Sequence, residues 1–161
     1  MSETGELGSR MEQLETLGLM AAHEAAIADL YAAYAEALPA HKALFTELAE
    51  EEKKHARLVA GFVDDVRAGL VHVTAGRFSS EAVMNSLDSV RVRLEDAKKG
   101  NITALDALAT AAGLEDGLIE KAYFVVVEGD HPDLKQLLDT LASETAGHRE
   151  KLKEAWGREG G

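Results

Sequence analysis

The stretch HEAAIADLYAAYAEALPAHKALFTELAEEEKKHARLV, residues 23–59, decides the fold of this chain. On both sides of Pro39 its apolar side chains recur at three- and four-residue spacing, and this spacing continues outward in both directions. The period predicts two amphipathic helices, one over residues 11–38 and one over residues 40–68, with Gly69 ending the second. Because only a short turn at Pro39 separates them, the two helices are expected to form an antiparallel hairpin.

The rest of the chain repeats this arrangement after a long connection. Helical spacing predicts helices over residues 103–128 and 132–156, joined by a short turn, and a further helix over residues 80–99. About 30 residues separate the two hairpins, which is too many for a tight turn in a compact domain. A single long crossover between helical hairpins is typical of ferritin-like folds. The predicted fold is therefore all-α, a ferritin-like four-helix bundle of two antiparallel hairpins, with the extra helix in the crossover at about 69–101.

The chain is long enough for one domain with a substantial core, which we expect over residues 11–157. The polar residues 1–10 are predicted to be a disordered N-terminal tail, and residues 158–161 a C-terminal tail. The segment 70–77 lacks a helical period and is expected to be a connector, with extended structure as an option in its first half.

Composition excludes several function classes. The chain has no cysteine, so disulfides, zinc fingers and cysteine-ligated iron sites are excluded, whereas a metal held by carboxylates and imidazoles is not. Its formal net charge of −12 disfavours nucleic-acid binding. No apolar stretch reads as a signal peptide or a membrane-spanning helix, so the cytoplasm is the expected location and no membrane partner is expected.

Polar residues that interrupt the apolar stripes of the four bundle helices carry the chemistry. They are, in chain order, Glu24, Glu52, His55, Glu115 and His148. Burying a carboxylate without a partner costs roughly several kcal/mol, and a bound cation offsets that cost. Carboxylates combined with imidazoles suit iron, manganese or zinc. One Glu from each of two helices, plus Glu-x-x-His from the other two, is the ligand set of dimetal carboxylate bundles.

The second hairpin repeats the first imperfectly. The segment LAEEEKKH, residues 48–55, resembles LASETAGH, residues 141–148, and aligning the two histidines places Thr145 where Glu52 stands. Glu144, one residue earlier, is the nearest carboxylate and is predicted as a ligand that replaces the missing one, although its direction differs by about 100°. The centre is therefore expected to be altered, asymmetric or limited to one firmly bound ion.

Structural interpretations stand beside these predictions. Glu52 lies among charged neighbours, so it could belong to a solvated helix face. His148 could be a core histidine bonded to a backbone carbonyl or to Glu144. Glu144 could simply be exposed, with Thr145 bonded back within its own helix. The tyrosines are read as core residues, with Tyr31 or Tyr34 as an optional hydrogen-bond partner of a ligand carboxylate. The remaining histidines lie off the apolar stripes and are predicted at the surface or at helix caps: His23, His41, His72 and His131.

The quoted stretch, with Glu24 followed by Glu52-Lys53-Lys54-His55, resembles the first half of the rubrerythrin branch of the ferritin-like superfamily. The resemblance implies a non-haem iron centre of one or two ions acting on peroxide, oxygen or ferrous iron, and a homodimer. It implies Glu24 and His55 as terminal ligands and Glu52 as a bridging one. Rubrerythrins also carry a cysteine-ligated electron-transfer domain, so redox activity here would need an external electron donor. The alternative is a bundle that has lost redox function and serves as a structural or interaction module.

Overall fold

The computed structural model describes residues 3–70, 74–75, 80–120, 127–128 and 132–160. The helices are α1 (Glu3–Ala37), a 3₁₀ turn (Pro39–His41), α2 (Lys42–Arg67), α3 (Ser80–Lys98), α4 (Ala104–Glu120) and α5 (Pro132–Arg158). Two short strands, β1 (Thr74–Ala75) and β2 (Val127–Glu128), pair in antiparallel fashion. The predicted all-α class is confirmed. Among these helices none is long and apolar enough to cross a membrane.

The predicted helices are all present, and some of their boundaries differ. α1 already begins at Glu3, so most of the segment predicted as a disordered tail is helical backbone. The polar composition that suggested a tail is equally compatible with a helix that no proline interrupts. α5 continues to Arg158, slightly beyond its predicted end.

The predicted extension of the fourth helix to residue 128 is wrong. α4 ends within the described residues at Glu120, and Val127–Glu128 form β2. The sequence from Tyr123 to Val127 is a run of aromatic and β-branched residues, which favour strand over helix. β1 and β2 pair Thr74 with Glu128 and Ala75 with Val127, so the crossover is tied to the segment between α4 and α5.

The helices pack as two hairpins and a cover. α1 lies against α2, α4 lies against α5, and α2 and α5 meet where the two hairpins face each other. α3 packs along α1, so the crossover helix covers its own chain. Its buried residues Val83, Leu87 and Val90 supply the contact face.

The core is built from the apolar stripes that the sequence predicts. Its largest buried apolar and aromatic side chains are Tyr31, Tyr34, Phe45, Ile27, Leu30, Leu48, Leu108 and Leu152. Burial of each such side chain contributes about 1.5–3 kcal/mol, so the hairpins are held together mainly by this layer. Helix ends are fixed locally: Gly69 and Gly100 adopt φ of 78° and 75°, and Thr103 Oγ1 accepts the Asp106 N–H at 3.1 Å.

Candidate metal centre

Five of the six predicted ligands converge in the interior of the molecule. Glu24 comes from α1, Glu52 and His55 from α2, Glu115 from α4 and His148 from α5. Each of these residues is at most 1% exposed. The 3.6-residue period places each of them on the apolar face of its helix, so the packing that forms the core also buries these side chains.

The five residues form two overlapping groups. Glu24, Glu52 and His55 each offer a ligand atom within 4.8 Å of the other two, and so do Glu52, Glu115 and His148. Glu52 belongs to both groups. We call the first group position 1 and the second group position 2. This geometry could hold a metal ion at either position, with Glu52 between them.

Several ligand atoms at these positions have no hydrogen-bond partner within the described part of the chain. They are Glu24 Oε2, Glu52 Oε2, His55 Nδ1 and Glu115 Oε2. Leaving a buried polar atom unpaired costs about 1–3 kcal/mol, so a cluster of them is unfavourable unless something else binds there. A metal ion satisfies carboxylate oxygens and an imidazole nitrogen at once. The donor set at both positions therefore fits a metal ion.

The pKa values of the three carboxyl groups show that burying them together disfavours ionising all of them. Burial and then the negative charge of Glu52 raise the pKa of Glu24 well above its ordinary value, and the same two causes raise the pKa of Glu115 to about 7. Burial opposes ionisation of Glu52 as well, but the proton of Glu24 and the nearby imidazoles of His148 and His55 outweigh it and lower the pKa of Glu52. One carboxylate thus stays ionised while its neighbours retain protons.

The two histidines are placed alike. His148 Nδ1 faces Glu52 Oε1 at 3.1 Å and Glu115 Oε1 at 3.7 Å, and His55 Nδ1 lies 3.5 Å from Glu52 Oε2. The two rings stack with centroids 5.5 Å apart. Burial would lower the pKa of His148, but hydrogen bonds to Glu115 and Glu52 raise it to about 10. Both imidazoles therefore present Nδ1 to the carboxylates of the centre.

The outer nitrogens of both histidines bond to carboxylates that lie outside the two positions. His55 Nε2 lies 2.5 Å from Glu144 Oε2, and His148 Nε2 bonds to Glu51 Oε2. Glu144 and Glu51 are partly exposed, with side-chain exposures of 29% and 36%. Burial raises the pKa of Glu144, but hydrogen bonds from His55 and Lys54 outweigh this effect and hold that pKa below its ordinary value.

Glu144 is thus not where a replacement ligand would stand. It contacts the far side of the His55 ring and joins neither position among the described residues. Helical direction explains this, because a residue next to the inward-facing one points about 100° away. Thr145 takes the inward direction instead: it is 1% exposed, and its Oγ1 finds no partner among the described residues.

Two further residues complete the surroundings of the centre. Tyr31 donates its phenol O–H to Glu115 Oε1 at 2.8 Å, which confirms the hydrogen-bonding option predicted for a tyrosine. The sequence analysis missed Glu51, because it lies in a run of charged residues and differs from them only by its contact with His148 on another helix. The structural interpretation of His148 is not borne out in its details, since its partners are carboxylates other than Glu144.

The prediction for His23 is wrong. This side chain is 2% exposed, and its Nε2 lies 2.8 Å from Ser86 Oγ, at the contact between α1 and α3. The crossover helix buries a face of α1 that a bundle without a cover would expose. His41 lies near the surface and pairs with Glu159 at 2.5 Å. His72 and His131 lie outside the described residues.

The fold and the centre define a class of protein: an α-helical domain with a buried carboxylate–imidazole cluster that could hold a metal ion. Comparison with known proteins does not assign the chain to a family. No protein-family model matches the chain, no curated protein matches it, and no solved structure matches its fold.

Proposed function

We propose that this protein is a metalloprotein of the ferritin-like kind, with a non-haem dimetal centre built from positions 1 and 2. The observation that carries the proposal is the convergence of buried ligand side chains from four helices around one carboxylate, Glu52. Ligand atoms of Glu24, Glu52, His55 and Glu115 have no hydrogen-bond partner among the described residues. The resemblance of the first hairpin to rubrerythrins favours iron, with manganese or zinc as other occupants that the donor set accepts.

In this proposal each residue has a defined task. Glu24 and His55 would hold an ion at position 1, Glu115 and His148 would hold one at position 2, and Glu52 would serve both as the shared ligand. The ions would supply redox chemistry toward peroxide, oxygen or ferrous iron. The apolar layer around the centre excludes bulk water and keeps the ligand carboxylates in a medium that strengthens their attraction to a cation.

The proposal extends to the surroundings of the protein. Since the sequence contains no cysteine, a redox cycle would take its electrons from an external donor. A cytoplasmic homodimer is part of the same proposal, and the dimer rests on the resemblance alone. Size-exclusion chromatography with light scattering measures the oligomeric state directly.

Metal titration of the purified, metal-free protein tests the proposal. Ferrous ion added without oxygen, and separately Mn²⁺ and Zn²⁺, should bind at up to two ions per chain when followed by calorimetry and elemental analysis. Glu24→Gln should lose position 1 and Glu115→Gln position 2, so each should halve the stoichiometry. Glu50→Gln, an exposed carboxylate on α2, serves as the matched control. Binding no greater than that of a buffer blank for all three metals would refute the proposal.

A second candidate function rests on Thr145. A hydroxyl at a position where the first hairpin has a carboxylate removes one ligand, and a bundle on its way to losing its centre would show such a change. The protein would then serve as a structural or interaction module. The same titration separates the two functions, since a module of this kind binds no metal in stoichiometric amounts.

A further inference from the structure

Resting on the proposed metal centre, we infer that Glu51 and Glu144 are positioning residues that hold the two histidine ligands ready for metal, each acting on the histidine of the opposite hairpin. Glu51 of α2 bonds His148 of α5, and Glu144 of α5 bonds His55 of α2. The two contacts are reciprocal: each carboxylate stands four residues before the histidine of its own helix and reaches across to the other.

The direction of the proton follows from the chemistry of the partners. An ionised carboxylate only accepts hydrogen bonds, so the proton of each contact sits on the histidine Nε2. A neutral imidazole with its proton on Nε2 has its lone pair on Nδ1. In both rings Nδ1 is the atom that faces Glu52. Because each outer carboxylate keeps a proton on Nε2, Nδ1 is the nitrogen left to bind a metal, after it gives up its own proton where the ring carries two.

The same contacts fix the orientation of the rings. A histidine ring with an apolar neighbour at Nε2 can turn about its Cβ–Cγ bond. A ring whose Nε2–H is bonded to a carboxylate is held in one orientation, so its Nδ1 points in a single direction. The carboxylate that accepts the Nε2–H also raises the electron density on the ring, which makes Nδ1 a stronger ligand for a cation. Glu51 and Glu144 are partly exposed, so water still reaches both carboxyl groups, unlike those of the ligands themselves.

The two contacts differ in their support. Glu144 accepts a second hydrogen bond, from Lys54 Nζ at 3.3 Å, and this lysine precedes His55 on α2. The corresponding residue before His148 is Gly147, which has no side chain to donate. Glu144 is thus held by two donors from the opposite helix. We expect the contact at position 1 to be the more rigid of the two.

The experiment combines each positioning variant with a variant that leaves one metal position. In a Glu115→Gln background only position 1 binds, so Co²⁺ titration followed by visible absorption reads His55 alone. There Glu144→Ala should weaken Co²⁺ binding by about 10–100-fold, and Glu51→Ala should leave it unchanged. In a Glu24→Gln background the effects should exchange. Glu50→Ala is the control in both.

The conservative variants distinguish positioning from a general effect of charge. Glu144→Gln and Glu51→Gln keep an acceptor oxygen at the same reach, so they should recover part of the affinity that the alanine variants lose. Long-range ¹H–¹⁵N spectra of the metal-free protein provide a second readout. The Nε2–H signals of His55 and His148 should exchange slowly with water, and each should broaden only in the variant of its own carboxylate partner.

The outcomes separate this inference from the proposed function. If wild-type protein binds no Co²⁺, the proposed function fails and the positioning role fails with it. If wild-type protein binds but both alanine variants bind like Glu50→Ala, the positioning role alone is wrong. It is also overturned if each alanine variant weakens the position that contains the histidine of its own helix, because the pairing would then not be crossed.

Discussion

The two hairpins place equivalent residues in equivalent positions and differ in one decisive atom group. Glu51, Glu52 and His55 in α2 correspond to Glu144, Thr145 and His148 in α5, each pair being 93 residues apart. Both histidines turn Nδ1 inward, and both outer carboxylates contact a histidine across the interface. At the inward position the first hairpin has a carboxylate that contacts both histidines, whereas the second has a hydroxyl that finds no partner among the described residues. The geometry of a site can therefore persist where its ligand chemistry has changed.

The largest effect is expected at the residue that the two positions share. Glu52→Gln removes the charge that both histidines face, so it should abolish metal binding at positions 1 and 2 together. Thr145→Val, the change at the matching place in the other hairpin, should leave the stoichiometry unchanged. Anaerobic ferrous titration with elemental analysis measures both, and circular dichroism verifies that each variant folds. Retained binding in Glu52→Gln would show that the shared carboxylate is not a ligand.

A carboxylate at residue 145 should make the second hairpin equivalent to the first in its ligand chemistry. Thr145→Glu adds a fourth buried acid to a cluster that already retains protons, so the metal-free protein should lose roughly 3 kcal/mol of stability. With metal bound, the same group becomes an additional ligand, and affinity for the second ion should rise about tenfold or more. Urea unfolding and metal titration give the two quantities. An unchanged affinity would indicate that Thr145 does not face the centre.

The pH dependence of the metal-free protein tests the carboxylate of the second hairpin. The pKa of Glu115 rises from 4.5 to about 7 on folding, so the folded state retains a proton that the unfolded state releases. The resulting stability is complete below pH 4.5 and is lost as the pH rises through 7, a change of up to about 3 kcal/mol. Glu24 acts in the same direction, and so does His148, whose contribution is lost on the way to about 10.

Urea unfolding at a series of pH values measures this trend. The free energy of unfolding of the metal-free protein should fall between pH 4.5 and 7, and Glu115→Gln should flatten the slope relative to Glu50→Gln. With saturating Zn²⁺ the gain in stability should instead grow with pH, because the metal displaces the retained protons. A metal-free protein that becomes more stable over this range would contradict the assignment of buried, protonated carboxyls.

The smallest effect is expected at Tyr31, which supports position 2 alone. Tyr31→Phe removes the phenol O–H that Glu115 Oε1 accepts and should cost about 1–2 kcal/mol of stability. Affinity at position 2 should fall about threefold to tenfold, while position 1 should be unaffected. Tyr34→Phe, the neighbouring buried tyrosine on the same helix, is the control. Equal losses at both positions would mean that the phenol acts on the core and not on one ligand.

The sequence alone predicted much of the fold and most of the centre. Apolar spacing gave the helices, and the same spacing identified Glu24, Glu52 and His55 as buried polar residues. It failed where a run of aromatic and β-branched residues overrode the helical pattern near residue 127. It failed again at His23, because burial of that face depends on α3, which lies far away along the chain.

The 3.6-residue period of a helix fixes which side chains share a face, so the ligand candidates on the apolar stripes could be predicted from the sequence. Which of these residues meet, and which residues outside the stripes support them, depends on how the helices pack. Glu144 illustrates the difference: its spacing from His148 suggested a ligand of its own hairpin, and packing makes it the partner of His55 on the other. Glu51 contacts His148 across a separation of 97 residues, and no local pattern encodes a contact between helices at that distance.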